Sequence, residues 1–476
     1  MSNKLILFVK NFSYALISNI TSFVMSVLII LVLPKVIGIA EYGYFQFYSL
    51  LATYVLVLHF GLVDGIYLRY GGESYKKLDY NRFTNQLYIL VIISIVEMII
   101  FIVILNLINI EINKYYIFIY LIISIIFVLP KTYFSVILQA TNRMKEYSML
   151  IVIEKVIYVI LIFLLIALGI KDYKILLISD LIGKICAMFL GIIYCKEIVF
   201  TKFCFNKDVF IESIYNVKAG IFLVLSNLCN ILITGIIQFF IENRWNIETF
   251  GKVSLTFNIS RMLMVVINSV SVVLFPLIKH IDFKELSKLY NKIRSVLMVI
   301  LMALLLLYYP MKVILNMWLP QYSESFSYAA LLLPMCIFES KSLILASTYL
   351  KSFRKESILF SVNVIVVFIS LILSIIMVNI ISSLELAVLS ITIVLMMKSI
   401  LLEYFISKVM DINFVKNTVL EICITIIFVL SSWFVNSFMC SIIYLIFYIL
   451  YIYINRICIH EIKKGYSIIQ KSFCTK

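Results

Sequence analysis

Polar residues in this chain fall in short clusters, and long runs of apolar residues separate them. A hydrocarbon layer ~30 Å thick needs ~20 predominantly apolar residues per helical crossing. Fourteen runs meet that requirement: 12–34, 44–69, 84–109, 115–139, 148–170, 174–195, 218–240, 250–276, 293–309, 324–349, 357–380, 384–406, 413–436 and 439–457. Lipid cannot satisfy an open strand edge, and a membrane barrel would show short alternating strands, so the runs predict helices. The ninth is the weakest. It ends at Pro310, and the segment Met311 to Pro320 after it reads as a re-entrant or interfacial piece.

Composition agrees. Hydrophobic residues make up 63% and charged residues 14%, against roughly 45–50% and about 25% in soluble domains. A water-soluble enzyme, a secreted disulfide scaffold and a disordered chain are all excluded. The net charge of +15 first suggests nucleic acid, but its placement says otherwise. With the N-terminus in the cytoplasm, 26 of the 40 Lys and Arg fall in loops on that side and eight fall inside runs. Only Lys35, Lys114, Lys171, Lys174, Arg244 and Lys312 lie opposite. That asymmetry is the positive-inside pattern. It puts both termini in the cytoplasm and leaves no need for a nucleic-acid partner.

Catalytic signals are missing. The first run is too long for a cleavable signal peptide and lacks a small-residue cleavage site. The nine cysteines form no CxxC pair, and His59, His280 and His460 show no ligand spacing, so neither a metal nor a disulfide framework is expected. No Gly-rich phosphate loop, GxSxG or HExxH occurs, so no cofactor is expected either.

Sliding the chain by 208 residues reveals an internal repeat. Lys10 falls on Lys218, Ser18-Asn19 on Ser226-Asn227, Tyr42-Gly43 on Phe250-Gly251, and Tyr75 to Leu78 on Phe283 to Leu286. The offset spans six helices, an even number, so the halves share one orientation and form a parallel repeat. The expected organisation is a six-helix lobe over 1–196, a cytoplasmic linker at 197–217 and a second six-helix lobe over 218–408. Helices 13 and 14 follow at 409–458, and a basic tail at 459–476. Within the linker, Phe205 to Tyr215 reads as a short interfacial helix.

The opening motifs are Asn19…Leu33-Pro34-Lys35…Glu41-Tyr42-Gly43-Tyr44, then Gly61-Leu62…Asp64-Gly65…Arg69-Tyr70. Over roughly residues 10–80 they resemble the polysaccharide-repeat-unit flippases. These are the O-antigen and capsule translocases of the multidrug/oligosaccharidyl-lipid/polysaccharide exporter superfamily. The resemblance implies an all-α membrane fold with two lobes in a V shape around a central cavity. It also implies translocation of undecaprenyl-diphosphate-linked oligosaccharide across the bacterial inner membrane. Many members have twelve spans, whereas lipid-precursor flippases of the superfamily have fourteen.

Spacing within the spans suggests where cargo is met. Span seven carries Asn227, Asn230, Thr234 and Gln238 on one helical face, and span one carries Asn19, Ser22 and Ser26. Span eight adds Ser254, Asn258, Arg261 and Asn268. Such groups suit a sugar in a wet cavity; the plainer alternative is hydrogen bonding between packed helices. A charge deep in a span costs ~2.5–3.5 kcal/mol on insertion scales. Arg261 is that deep and has no acid at helical spacing, so its partner is another helix or a substrate diphosphate, whose oxygens match the guanidinium fork. Lys252, and Lys218 at the cytoplasmic mouth, are weaker versions of the same idea.

Among the acids, Asp64 and Glu154 are candidates to couple transport to H+ or Na+. Structural pairing competes: Arg69 lies near Asp64, and Lys155 follows Glu154 on a different helix face. Asp180 and Lys184 neutralise each other at i, i+4. Glu97 stands alone in span three as an alternative coupling group. The expected function is a non-enzymatic, ion-coupled flippase whose partners are lipid-linked oligosaccharide, membrane lipids and a polysaccharide polymerase. A multidrug/cation antiporter and a peptidoglycan lipid-precursor flippase are the alternatives. A membrane glycosyltransferase is disfavoured because the longest outside loop has only about fourteen residues.

Overall fold

In the computed structural model of the chain the apolar runs are helices joined by short turns, with no strand among the described residues. The structure describes residues 3–202, 207–278, 283–353, 355–434 and 439–454. Side chains of 3–9, 207–208, 265–278, 283–289, 351–352 and 356 lie outside that description.

The chain forms two compact units, Met1–Ile231 and Leu232–Lys476. The first contains α1 (Asn3–Val36), α2 (Ile39–Val55), α3 (Leu62–Tyr70), α4 (Tyr80–Leu107), α5 (Ile112–Ala140), α6 (Met144–Ala167), α7 (Tyr173–Tyr194) and the short α8 (Lys196–Val199). Here α5 is central, packing on α2, α3, α4, α6 and α7, while α1 lies along α6. Helix α9 (Lys207–Arg244) begins in this unit and ends in the next. The second unit continues with α10 (Ile247–Ile278), α11 (Phe283–Leu305), α12 (Tyr308–Trp318), α13 (Ser325–Leu332), α14 (Met335–Lys341), α15 (Thr348–Ser352), α16 (Glu356–Ser374), α17 (Leu384–Met410) and α18 (Val415–Phe434). A last helix, α19, covers Met439–Ile454. Helix α17 packs on α13, α14 and α16, and α10 lies against α13 and α14.

Eleven helices among the described residues are long and apolar enough to cross a membrane. The interrupted pair α2–α3, helix α10 and the shorter α19 complete a one-to-one match with the fourteen runs. Local chemistry sets several boundaries. The Asp172 and Ser383 side chains cap α7 and α17 by accepting from the backbone N–H of Lys174 and Leu386, satisfying donors that a helix start leaves free.

Three details differ from the sequence reading. The run 44–69 is not one helix: it breaks between Val55 and Leu62, where Phe60 and Gly61 adopt φ of 47° and 86°. Average hydropathy hides such a break because the turn residues are themselves apolar. The separate interfacial helix expected at Phe205 to Tyr215 is instead the start of α9, which runs unbroken for 38 residues. Residues 205 and 206 of that expectation lie outside the described residues. Past Pro310 the chain continues as α12, so that Tyr290–Trp318 forms a single 29-residue candidate span. Pro310 sits in the first turn of α12, where a missing N–H breaks no helical hydrogen bond.

Candidate functional site

On α10, the residues singled out by spacing meet different surroundings. Ser254 is buried, Asn258 half-buried and Arg261 exposed. The Arg261 guanidinium lies 5.5 Å from the centre of the Phe257 ring, a cation–π contact that leaves its hydrogen-bonding edge open. No carboxylate pairs with it among the described residues. Lys252, nine residues earlier, does have one: its Nζ is 3.2 Å from Glu324 Oε2. The side chain of Asn268 lies outside the described residues.

In the first unit Asn19, Lys218, Asn227 and Asn230 are all exposed. They lie on two helices, α1 and the part of α9 that belongs to this unit. The stripe on α9 continues to Gln238, which is buried.

The acids proposed for coupling are both accompanied. Glu154 Oε2 accepts from Lys131 Nζ at 2.7 Å, and Lys155 Nζ reaches Glu154 Oε1 at 4.0 Å. The flexible lysine stem thus brings Lys155 back to its neighbour despite the different helix face. Asp64 Oδ2 lies 3.7 Å from His59 Nε2, whose Nδ1 accepts from the Gly61 N–H. Asp180 bonds to Lys184 at 2.5 Å, as its spacing implied, and also accepts from Tyr48 OH at 2.6 Å. Glu97 is buried, with no hydrogen-bond partner for either carboxyl oxygen among the described residues.

Arg69 does not pair with Asp64. It turns to α9, with Nη2 2.8 Å from Glu212 Oε1 and Nη1 2.7 Å from Asn216 Oδ1. Tyr70 OH donates to the same Glu212 oxygen at 2.6 Å. Beside these bonds the backbones of α3 and α9 nearly touch. A Cβ on Gly65 would fall 1.8 Å from the Asn216 carbonyl oxygen, and one on Gly220 would fall 2.0 Å from that of Gly61. Gly61 and Gly65 thus form the small-xxx-small face that lets membrane helices approach closely. Other members of the opening motif also hold structure: Glu41 accepts from the Tyr173 N–H at 2.8 Å, and Tyr44 OH donates to Glu111 at 2.5 Å.

One constellation escaped the sequence reading. Arg294, at the start of the ninth apolar run, is buried on α11 within a charge quartet. Its Nε lies 2.5 Å from Glu403 Oε1 and its Nη1 2.9 Å from Glu421 Oε1. Lys341 Nζ completes the ring at 2.5 Å from Glu403 and 2.7 Å from Glu421. Two cations and two anions cancel, and the ring joins α11, α14, α17 and α18.

This fold is that of a multi-pass helical membrane protein. A family described as polysaccharide biosynthesis protein matches residues 8–282, more than half of the 476 residues, and the chain belongs to that family. No curated protein matches it by sequence. Among solved structures, lipid II flippase MurJ in an inward-closed conformation aligns with a TM-score of 0.68 at 16% identity, covering 94% of this chain and 99% of that one. A multidrug resistance MATE family transporter of the MOP superfamily, inward-facing, aligns with a TM-score of 0.61 at 12% identity, over 81% and 96%. An outward-facing MATE structure gives 0.53 at 13%, over 84% and 96%. At these identities the likeness is one of fold.

Proposed function

We propose that the protein flips undecaprenyl-diphosphate-linked oligosaccharide repeat units across a bacterial inner membrane, with both termini in the cytoplasm. It makes and breaks no covalent bond. It presents its polar helix faces first to one side of the membrane and then to the other, coupled to an ion gradient. The polyprenyl tail stays in lipid, and the exported unit passes to a polymerase that builds surface polysaccharide.

The observation that carries this reading is Arg261: an exposed guanidinium deep in an apolar helix, without a carboxylate partner among the described residues. An unpaired intramembrane cation is costly unless a ligand or water meets it, and a diphosphate supplies the anionic oxygens that a guanidinium fork binds best. Membership of the polysaccharide biosynthesis family points to the same cargo class.

The test is complementation of a strain lacking its own repeat-unit flippase, with surface glycan and accumulated lipid-linked oligosaccharide as readouts. Restored glycan and reduced accumulation are expected. Rescue of a strain lacking its lipid II flippase instead would assign the cargo to the peptidoglycan precursor. Raised drug resistance without glycan would assign the protein to multidrug export.

A further inference from the structure

Five polar side chains of α4 are buried, Thr84, Asn85, Gln86, Ser94 and Glu97, and the first two donate to the Tyr80 and Asn81 carbonyls. Ser94 donates to the Leu90 carbonyl one turn back. Among the described residues Gln86 has no hydrogen-bond partner for its amide oxygen or nitrogen, and Glu97 none for either carboxyl oxygen. Glu97 is 7% exposed.

Its isolation sets it apart. Glu154, Asp180, Glu339, Glu403 and Glu421 each have a lysine or arginine within 4.0 Å. Helices α5 and α8 pack against α4. Their ionisable side chains are Lys114, Tyr115, Tyr116, Tyr120, Lys131 and Tyr133 on α5, and Lys196 and Glu197 on α8. None of these bonds to Glu97; Lys131 is held by Glu154, and Tyr133 by the Phe83 carbonyl. An ionised carboxylate with neither cation nor donor is among the costliest groups to keep in an apolar interior, and taking up a proton removes that cost.

We propose that Glu97 is the proton carrier of the transport cycle. While its face of α4 is closed, the carboxyl keeps its proton. When the cycle admits water to that face, the O–H bond breaks and the proton passes to water, leaving a hydrated carboxylate. Before the face can close again, the carboxylate takes a proton from water on the other side of the membrane. Gln86 and Ser94 line the path from the Tyr80 end of α4. Glu154, tied to Lys131, is then a structural group. The coupling role rests on the transporter reading; the protonated state of Glu97 does not.

Two measurements address the state and one the role. Dicyclohexylcarbodiimide reacts with protonated carboxyls in apolar surroundings. Full-length protein in membrane vesicles, treated at neutral pH and mapped by peptide mass spectrometry, is expected to carry the label on Glu97 and not on Glu154. Infrared spectra of wild type minus Glu97→Gln are expected to show the carbonyl stretch of a neutral carboxylic acid. Absence of that band overturns the proposal, whether or not the reagent reaches the site. In the complementation strain, collapsing the pH gradient with nigericin should slow wild-type glycan export several-fold. Glu97→Gln should be slow from the start and indifferent to nigericin, while Glu97→Asp keeps the response. A Glu97→Gln variant as nigericin-sensitive as wild type overturns the coupling role. If wild type restores no glycan at all, the transport reading fails, and the spectra still decide the proton.

Discussion

Lys341 Nζ lies 2.7 Å from Glu421 Oε2, with the two side chains only 3% and 1% exposed. The contact fastens α18 to α14 within the second unit. Removing one partner strands the other as a buried charge, which typically costs ~3–5 kcal/mol. Glu421→Ala is therefore expected to lower the thermal unfolding temperature in detergent markedly. Replacing Lys341 and Glu421 together by methionine leaves the Arg294–Glu403 pair neutral. The double variant should be clearly more stable than the sum of the single changes implies. Strict additivity, followed by intrinsic fluorescence, would show that the ring does not act as a unit.

Glycine matters unequally. At Gly65 any side chain collides with the Asn216 backbone, whereas a Cβ on Gly38 finds nothing nearer than the Glu41 Cγ at 3.9 Å. Gly65→Ala should reduce the yield of monodisperse protein on fluorescence-detected size-exclusion chromatography, and Gly38→Ala should not. Equal profiles would mean that α3 and α9 are not in close contact in the membrane.

The same contact gives a pH signature. Tyr70 ends α3, and burial, followed by its hydrogen bond to Glu212, raises its hydroxyl pKa to about 12. A tyrosine whose pKa is higher folded than unfolded stabilises the fold fully below the ordinary value near 10, and that stability is lost as pH climbs through about 12. Absorbance titration of wild type minus Tyr70→Phe should show one tyrosinate with a midpoint near 12. A midpoint near the ordinary value would mean that Tyr70 is in water.

Much of this fold is legible along the chain, because a span's length and a loop's charge are local properties. What stays hidden depends on partners in other helices. The Arg294, Lys341, Glu403 and Glu421 ring has no sequence spacing at all, since its members come from four helices. A zero-sum set of charges in or beside spans nine, ten, twelve and thirteen was the available signal. The break at Gly61 was masked by apolar neighbours. On α10 the stripe Ser254, Asn258 and Arg261 shares one face by spacing, yet exposure rises along it. Helical periodicity gives a residue's direction and says nothing of what covers it.

The proposed cargo contact rests most on Arg261. Its side chain is exposed and its one described contact is the Phe257 ring, so truncation should leave folding stability within ~0.5 kcal/mol, as at other surface positions. A hydrogen bond to a charged group contributes ~1.5–3 kcal/mol, which corresponds to roughly ten- to 150-fold in affinity or rate. Arg261→Ala is expected to slow glycan export by about that factor at unchanged protein level. Arg261→Lys should recover only part of the loss, because an ammonium keeps the charge without the planar fork. Lys252→Ala should do far less, because Glu324 already occupies that lysine. The ordering Arg261→Ala below Arg261→Lys below Lys252→Ala, measured in the complementation strain, separates diphosphate recognition from a general need for positive charge. If both Arg261 variants export at the wild-type rate, Arg261 does not hold the cargo, and the anionic headgroup must be met elsewhere.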